Sequence, residues 1–253
     1  MENRKVTVLN NLEELSRAAA AKFVELAQSG IAAKGSFTVA LAGGSTPKKL
    51  YELLADENES FRAEVDWRKI NFFWGDERCV APDSDESNYR MANESLLKPL
   101  NISPSNIHRF KSESDAETAA RDYERFLRFF FNEPNDGVPR FDLILLGMGA
   151  DGHTASLFPN TDVLRETEKL VAAPFVEKFG THRLTLTPNV INNASNVIFQ
   201  VAGADKADAL REVLDGEIQP ETFPSQIVNL SSGKVYWFLD EAAAQHLSSN
   251  HKV

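Results

Sequence analysis

The stretch Phe141-Asp142-Leu143-Ile144-Leu145-Leu146-Gly147-Met148-Gly149-Ala150-Asp151-Gly152-His153-Thr154 decides how this chain folds. It opens on the most apolar run in the sequence and breaks abruptly into a glycine-rich turn. A short, continuous apolar run predicts a strand covered on both faces, as in a parallel sheet. The same texture recurs at residues 6–9, 37–41, 70–74, 197–201 and 235–239. Helical patterns lie between them at 12–27, 47–54, 88–97, 116–131, 206–214 and 241–247. In the first of these, Leu12, Leu15, Ala19, Phe23 and Leu26 share one apolar face. Alternating strands and helices predict an α/β fold with a mainly parallel sheet and helices on both faces. Ligands then bind at the carboxyl ends of the strands, so the loops after the apolar runs are expected to carry function.

A chain of 253 residues suffices for one large α/β domain. At that size roughly 70–75% of the unfolded surface is buried, and no metal or disulfide staple is needed. The formal charge of −10 argues against nucleic acid or an anionic membrane as partner. It also requires that any anionic ligand be met by a few placed cations and backbone amides. The single cysteine, Cys79, forms no internal disulfide, which fits a reducing compartment, and nothing marks it as reactive. No apolar run approaches the roughly 18 residues of a membrane span, and the start does not read as a signal peptide. The first few residues and the polar tail 248–253 read as disordered.

Three of the loops are chemically loaded. After residues 37–41 comes Gly43-Gly44-Ser45-Thr46-Pro47. The glycines let the backbone approach a ligand, Ser45 or Thr46 can cap the following helix, and Pro47 suits its first turn. Amides and hydroxyls at a helix start form an anion site, although a simple capped turn explains the run equally well. The spacing is not that of a nucleoside-triphosphate loop. After residues 70–74 comes Gly75-Asp76-Glu77-Arg78-Cys79, where Asp76 is a candidate acceptor or base and Arg78 a candidate cation for an anionic ligand. A solvated turn is the plain alternative. The polar stretch 82–88 that follows reads as a mobile loop.

The third loop formally satisfies the dinucleotide fingerprint G-x-G-x-x-G. The acidic residues near the expected distance, Glu166 and Glu168, follow no apolar strand, and Phe158-Pro159 ends any helix after little more than a turn. Asp151-Gly152-His153 reads better as a catalytic turn, because histidine takes and returns protons near neutrality. Of the 5 histidines, His153 alone sits in a glycine-rich loop after a buried strand. The acid that orients it is left open between Asp151, Asp76 and another carboxylate. No second His or Cys lies at metal-ligand spacing.

Together these loops resemble the 6-phosphogluconolactonase family, which is related to the glucosamine-6-phosphate isomerases and deaminases. The similar stretches are 41–47, 73–78 with Ser87-Asn88-Tyr89, 147–159, Arg183-Leu184-Thr185-Leu186-Thr187 and Gly203-Ala204-Asp205-Lys206-Ala207, which span nearly the whole chain. The resemblance implies one three-layer, Rossmann-like domain over residues 1–253. It implies a cytoplasmic hydrolase of 6-phospho-D-glucono-1,5-lactone in the pentose phosphate pathway, without metal or organic cofactor. By position, His153 becomes the general base, and Gly44, Ser45, Thr46, Arg183 and Lys206 the phosphate contacts, with Arg78 and Gly43 beside them. A phosphorylated sugar lactone is the expected partner, and a monomer or weak homodimer the expected state. The related deaminases resemble Asp-Gly-His-Ile-Ala-Phe-Asn-Glu-Pro, with a carboxylate before the proline that helps open the sugar ring. Here that position is Phe158, whose ring cannot shuttle a proton, so the lactonase branch is favoured.

Overall fold

The structure is a computed structural model that describes residues 3–133 and 137–249; the expectations for residues 1–2 and for the chain end beyond 249 lie outside it. The strands are β1 (Arg4–Leu9), β2 (Phe37–Leu41), β3 (Ile70–Trp74), β4 (Asp76–Arg78), β5 (Leu143–Leu146), β6 (Val171–Ala172), β7 (Phe175–Val176), β8 (Thr181–Leu186), β9 (Asn196–Val201) and β10 (Lys234–Asp240). The helices are α1 (Leu12–Lys34), α2 (Ser45–Ala55), α3 (Ser60–Ala63), α4 (Asn88–Ala92), α5 (Ala116–Phe130), α6 (Pro188–Asn192) and α7 (Ala207–Asp215).

Each apolar run of the sequence becomes a strand of one 6-stranded sheet ordered β1-β10-β9-β5-β2-β3, with every neighbouring pair parallel. Successive side chains on a strand point to opposite faces, and both faces are covered. On one, Phe23 of α1 meets Phe37 edge-on at 6.1 Å; on the other, Phe126 and Phe130 of α5 meet Phe73 at 6.3 and 5.1 Å. This two-sided cover is why the strands are continuously apolar rather than alternating. A second, 4-stranded sheet runs β4-β8-β6, with β7 also on β8, and its pairings are antiparallel.

The strand order positions the site. From β2 the chain steps outward to the edge strand β3, whereas β5, β9 and β10 step the other way. The order reverses between β2 and β5, and at such a switch point the loops leave in opposite directions and open a crevice.

Some boundaries differ from the sequence reading. The run 141–146 becomes a strand only from Leu143, because the Asp142 carboxylate accepts from Thr38 N and Oγ1 at 2.9 Å each instead of facing solvent. Helix α1 continues to Lys34, where Gly35 caps it with φ 81°. The pattern at 88–97 is α4 followed by one wider π turn over Asn93–Leu97. The expected helix at 241–247 forms only turns: Asp240 takes the Ala243 amide at 2.7 Å and the Gly203 amide at 3.1 Å, which ties the segment to the neighbouring loop.

Candidate active site

A cleft of about 330 Å³ lies at the carboxyl ends of β2, β5 and β9 and is lined by all three loaded loops. The side chains of His153, Asp76, Arg78, Arg183 and Lys206 come together there with residues 43–46.

The turn that carries His153 is built by its own backbone. The Gly149 amide donates to His153 O at 2.9 Å, and the Gly152 amide to Gly149 O at 3.0 Å. The loop thus closes on itself, and no helix follows within residues 147–161. That removes the helix start on which a dinucleotide pyrophosphate would rest. A Cβ on Gly149 would come within 2.1 Å of the imidazole, so only glycine lets the ring lie against the loop. His153 Nδ1 hydrogen-bonds Asp151 Oδ1, and Nε2 has no partner among the described residues. Lys178 holds the second Asp151 oxygen at 3.1 Å. Burial opposes ionisation of Asp151, but the hydrogen bond and charge of His153, with Lys178, outweigh it and hold the carboxyl well below its ordinary value. Phe158 stacks on the imidazole at 4.2 Å.

Of the two named acids, Asp151 is the one hydrogen-bonded to His153. Asp76 is buried and engaged elsewhere: Ser156 Oγ donates to its Oδ2 at 2.7 Å, and Asn88 Nδ2 to its backbone oxygen at 2.9 Å. Its neighbour Glu77 points away from the cleft into a nest of donors. The amides of Arg78, Asn88 and Tyr89 each donate to it at 2.8 Å, and Ser87 Oγ at 3.1 Å. Burial pushes the Glu77 carboxyl up, against the pull of those amides. The charged run 76–78 is therefore one residue facing the site, one pinning the start of α4, and one cation. The loop 82–88 is tied at both ends, since Arg78 donates to Glu86 O and Arg90 to Asp83 O at 2.8 Å. Burial also pushes the Cys79 thiol up, away from a nucleophilic thiolate.

The cations have distinct surroundings. Arg78 and Arg183 sit directly opposite each other across β4 and β8. Arg183 is only 9% exposed, and among the described residues its guanidinium makes no ion pair and no side-chain hydrogen bond. Its one side-chain contact of note is the Phe179 ring, 5.0 Å away. Burial first, and the charge of Arg78 second, lower its pKa. The carboxylates of Asp76 and Glu86 act on Arg183 only through space, so neither guanidinium is tied up in an ion pair among the described residues. Lys206, on the turn before α7, pairs with Asp205 at 2.8 Å at the cleft's other end. On the floor, α2 begins at Ser45 rather than Pro47. Its N-cap is Gly44 at φ 103°, and no side chain caps it; neither Ser45 nor Thr46 plays the capping role expected of them. The amides of Ser45 and Thr46 thus have no partner among the described residues, and both residues line the cleft. Gly43 is fixed by packing, because a Cβ there would lie 1.8 Å from Asn88 Oδ1.

Sequence reasoning missed Ser156 and Asn88 as holders of Asp76, and Lys178 and Phe179 altogether. Asn88 was visible only as part of a similar stretch. Lys178 and Phe179 carry no local signal, since their contacts arise from the fold.

Among the described residues no cluster of His, Cys, Asp or Glu is arranged to hold a metal ion, and no helix is long and apolar enough to cross a membrane.

Residues 10–237 match the family model described as glucosamine-6-phosphate isomerases/6-phosphogluconolactonase. The chain is 41% identical to the 6-phosphogluconolactonase of Synechocystis sp. over 96% of its own length and 98% of the relative's. It is 36% identical to a probable 6-phosphogluconolactonase of Arabidopsis thaliana, covering 96% of this chain and 93% of that one. Among solved structures, the 6-phosphogluconolactonase of Trypanosoma brucei superposes with a TM-score of 0.85 at 32% identity, covering 97% of this chain and 99% of that one.

Proposed function

The chain belongs to the glucosamine-6-phosphate isomerase/6-phosphogluconolactonase family, and from that footing we propose that it hydrolyses 6-phospho-D-glucono-1,5-lactone to 6-phospho-D-gluconate, with His153 as general base. The observation that carries the mechanism is the Asp151–His153 hydrogen bond in a cleft that also holds a buried Arg183 with no ion pair among the described residues. Asp151 fixes the Nδ1–H tautomer, which leaves Nε2 free to accept a proton. His153 removes a proton from water as the oxygen attacks the lactone carbonyl, then returns it to the ring oxygen as the C–O bond breaks. Such acid–base work supplies roughly 10²–10⁴-fold. The tetrahedral oxyanion needs a donor, worth about 10²–10³-fold, and the amides of the glycine-rich loops or Arg78 offer one. Lactones are reactive enough that these terms suffice without a covalent intermediate.

The phosphate lies far from the reacting carbon and serves positioning. Arg183, Arg78, Lys206 and the amides of residues 43–46 are its contacts in this reading. They supply the local positive field that a chain of net charge −10 must build. Asp76, held by Ser156 and Asn88, is assigned to a sugar hydroxyl rather than to proton transfer. Phe158 stacks where ring-opening chemistry needs a carboxylate, which favours hydrolysis over deamination. The reading includes a single domain over residues 1–253, a cytoplasmic location, no cofactor, and a monomer or weak homodimer, the last tested by analytical ultracentrifugation.

The decisive assay generates the lactone in place and follows its loss above the spontaneous rate. Loss no faster than spontaneous, with 6-phosphogluconate still bound, would mean a sugar-phosphate sensor. Release of ammonia from glucosamine 6-phosphate would mean the deaminase chemistry.

A further inference from the structure

We infer that the single turn Glu177–Phe179 positions the catalytic pair: Lys178 holds the outer oxygen of Asp151, and Phe179 backs the ring on which His153 lies. The inference rests on the hydrolytic reading of the same cleft. The turn bridges β7 and β8, which pair antiparallel on either side of it, and Gly180 closes it at φ 61°. Its two adjacent side chains reach the two members of the pair by separate routes. Lys178 Nζ lies 3.1 Å from Asp151 Oδ2, while Oδ1 takes His153 Nδ1. Phe179 meets Phe158 edge-on at 5.7 Å and 72°, and Phe158 stacks on His153 at 4.2 Å and 29°.

A carboxylate gripped at one oxygen still swings about its Cβ–Cγ bond. Gripped at both, its plane is set, and so is the direction of the hydrogen bond that aims the imidazole. The stack on Phe158 sets the remaining tilt of the ring. A catalytic group needs this support, because a misplacement of about 1 Å costs roughly 10²-fold. Lys178 is 61% exposed, and an ion pair that open adds little to folding. Its contribution therefore falls on orientation. Phe179 is 48% exposed and lines the cleft with Arg183 over its face, so one ring touches both the anion-binding side and the aromatic backing of His153. Lys178 and Phe179 are positioning residues: they act through Asp151 and Phe158.

The test pairs disruptive with conservative variants: Lys178→Met with Lys178→Arg, and Phe179→Ala with Phe179→Leu. Steady-state kinetics are measured on lactone generated in place, and ¹⁵N spectra of the His153 imidazole are recorded with no substrate present. Each disruptive variant is expected to lower kcat about fivefold to tenfold, a fraction of the full misplacement cost; KM changes less than twofold in Lys178→Met, and rises as well in Phe179→Ala because that ring also supports Arg183. The conservative variants recover most of the loss. In the spectra, the parent shows a fixed Nδ1–H tautomer, and Lys178→Met moves both ring nitrogens toward the averaged values of a free imidazole. Unchanged kcat and unchanged spectra in both disruptive variants overturn the proposal, and so does a loss carried by KM alone. The spectra need no turnover. A parent chain inactive on the lactone would sink the hydrolytic reading, while the spectra would still decide whether the turn holds the pair.

Discussion

The 6-stranded sheet fills both of its faces with Leu, Ile, Val and Phe, whereas the small antiparallel sheet sets Arg78 directly opposite Arg183. Like charges facing each other across strands are destabilising. The large sheet gains its stability from burial, as where Phe199 stacks on Trp237 at 3.7 Å. The small one keeps a repulsive pair at the mouth of the cleft, an arrangement that makes sense when an anion completes it. In the proposed reading, the two sheets divide scaffold from recognition. The loops at the ends of the large sheet's strands carry the chemistry between them.

Four measurements test that division. His153→Ala removes the base and is expected to lower kcat by roughly 10²–10⁴-fold. Its melting temperature should stay near the parent's, because the ring is held by the loop and supports little else. Activity near the parent's would dismiss His153. Next, Phe199→Ala in the large sheet should cost about 3–5 kcal/mol of folding stability in urea titration. The protein that remains folded should keep its KM; a shifted KM with intact stability would mean that the large sheet also recognises substrate.

Arg183→Leu should do the reverse. Losing charge-assisted hydrogen bonds worth about 1.5–3 kcal/mol raises KM for the phosphorylated lactone roughly tenfold or more. Discrimination against unphosphorylated gluconolactone should fall in parallel, while thermal stability holds or rises as the repulsion is relieved. A lower melting temperature at unchanged KM would make Arg183 structural. The smallest effect is a pH slope. His108 packs among Phe73, Phe126 and Phe130 with its Nε2 on Asn71, and burial lowers its pKa from 6.5 to about 4. As pH falls from 6.5 toward 4, the unfolded chain takes up this proton before the folded one does. The stability contributed by the neutral ring is thus fully present above 6.5, falls across that window and levels off below it. Urea midpoints across the window should show the loss, and His108→Phe should flatten it.

The strands of the large sheet and the loops that follow them were legible in the order of residues alone. A run such as 37–41 is buried at every position and apolar at all but Thr38, because both faces of its strand are covered, and that demand is written locally. His153 was legible for a similar reason, since the tight glycine turn around it is built from neighbouring residues. The tertiary structure alone decided the rest. It left Asp151, two residues away in the same turn, as the partner of His153 and sent Asp76 to Ser156 and Asn88, the latter set by where β4 docks rather than by spacing along the chain. It also made the small sheet, whose strands around β8 are too short to show a period, as in Asp76-Glu77-Arg78. Arg78 meets Arg183, and Phe179 meets Phe158, only because the antiparallel pairing around β8 brings distant segments together. Periodicity records which face of an element is buried, but it does not record which distant element buries it. The scaffold and the turn that holds His153 were therefore readable in advance, and the contacts made by distant segments were not.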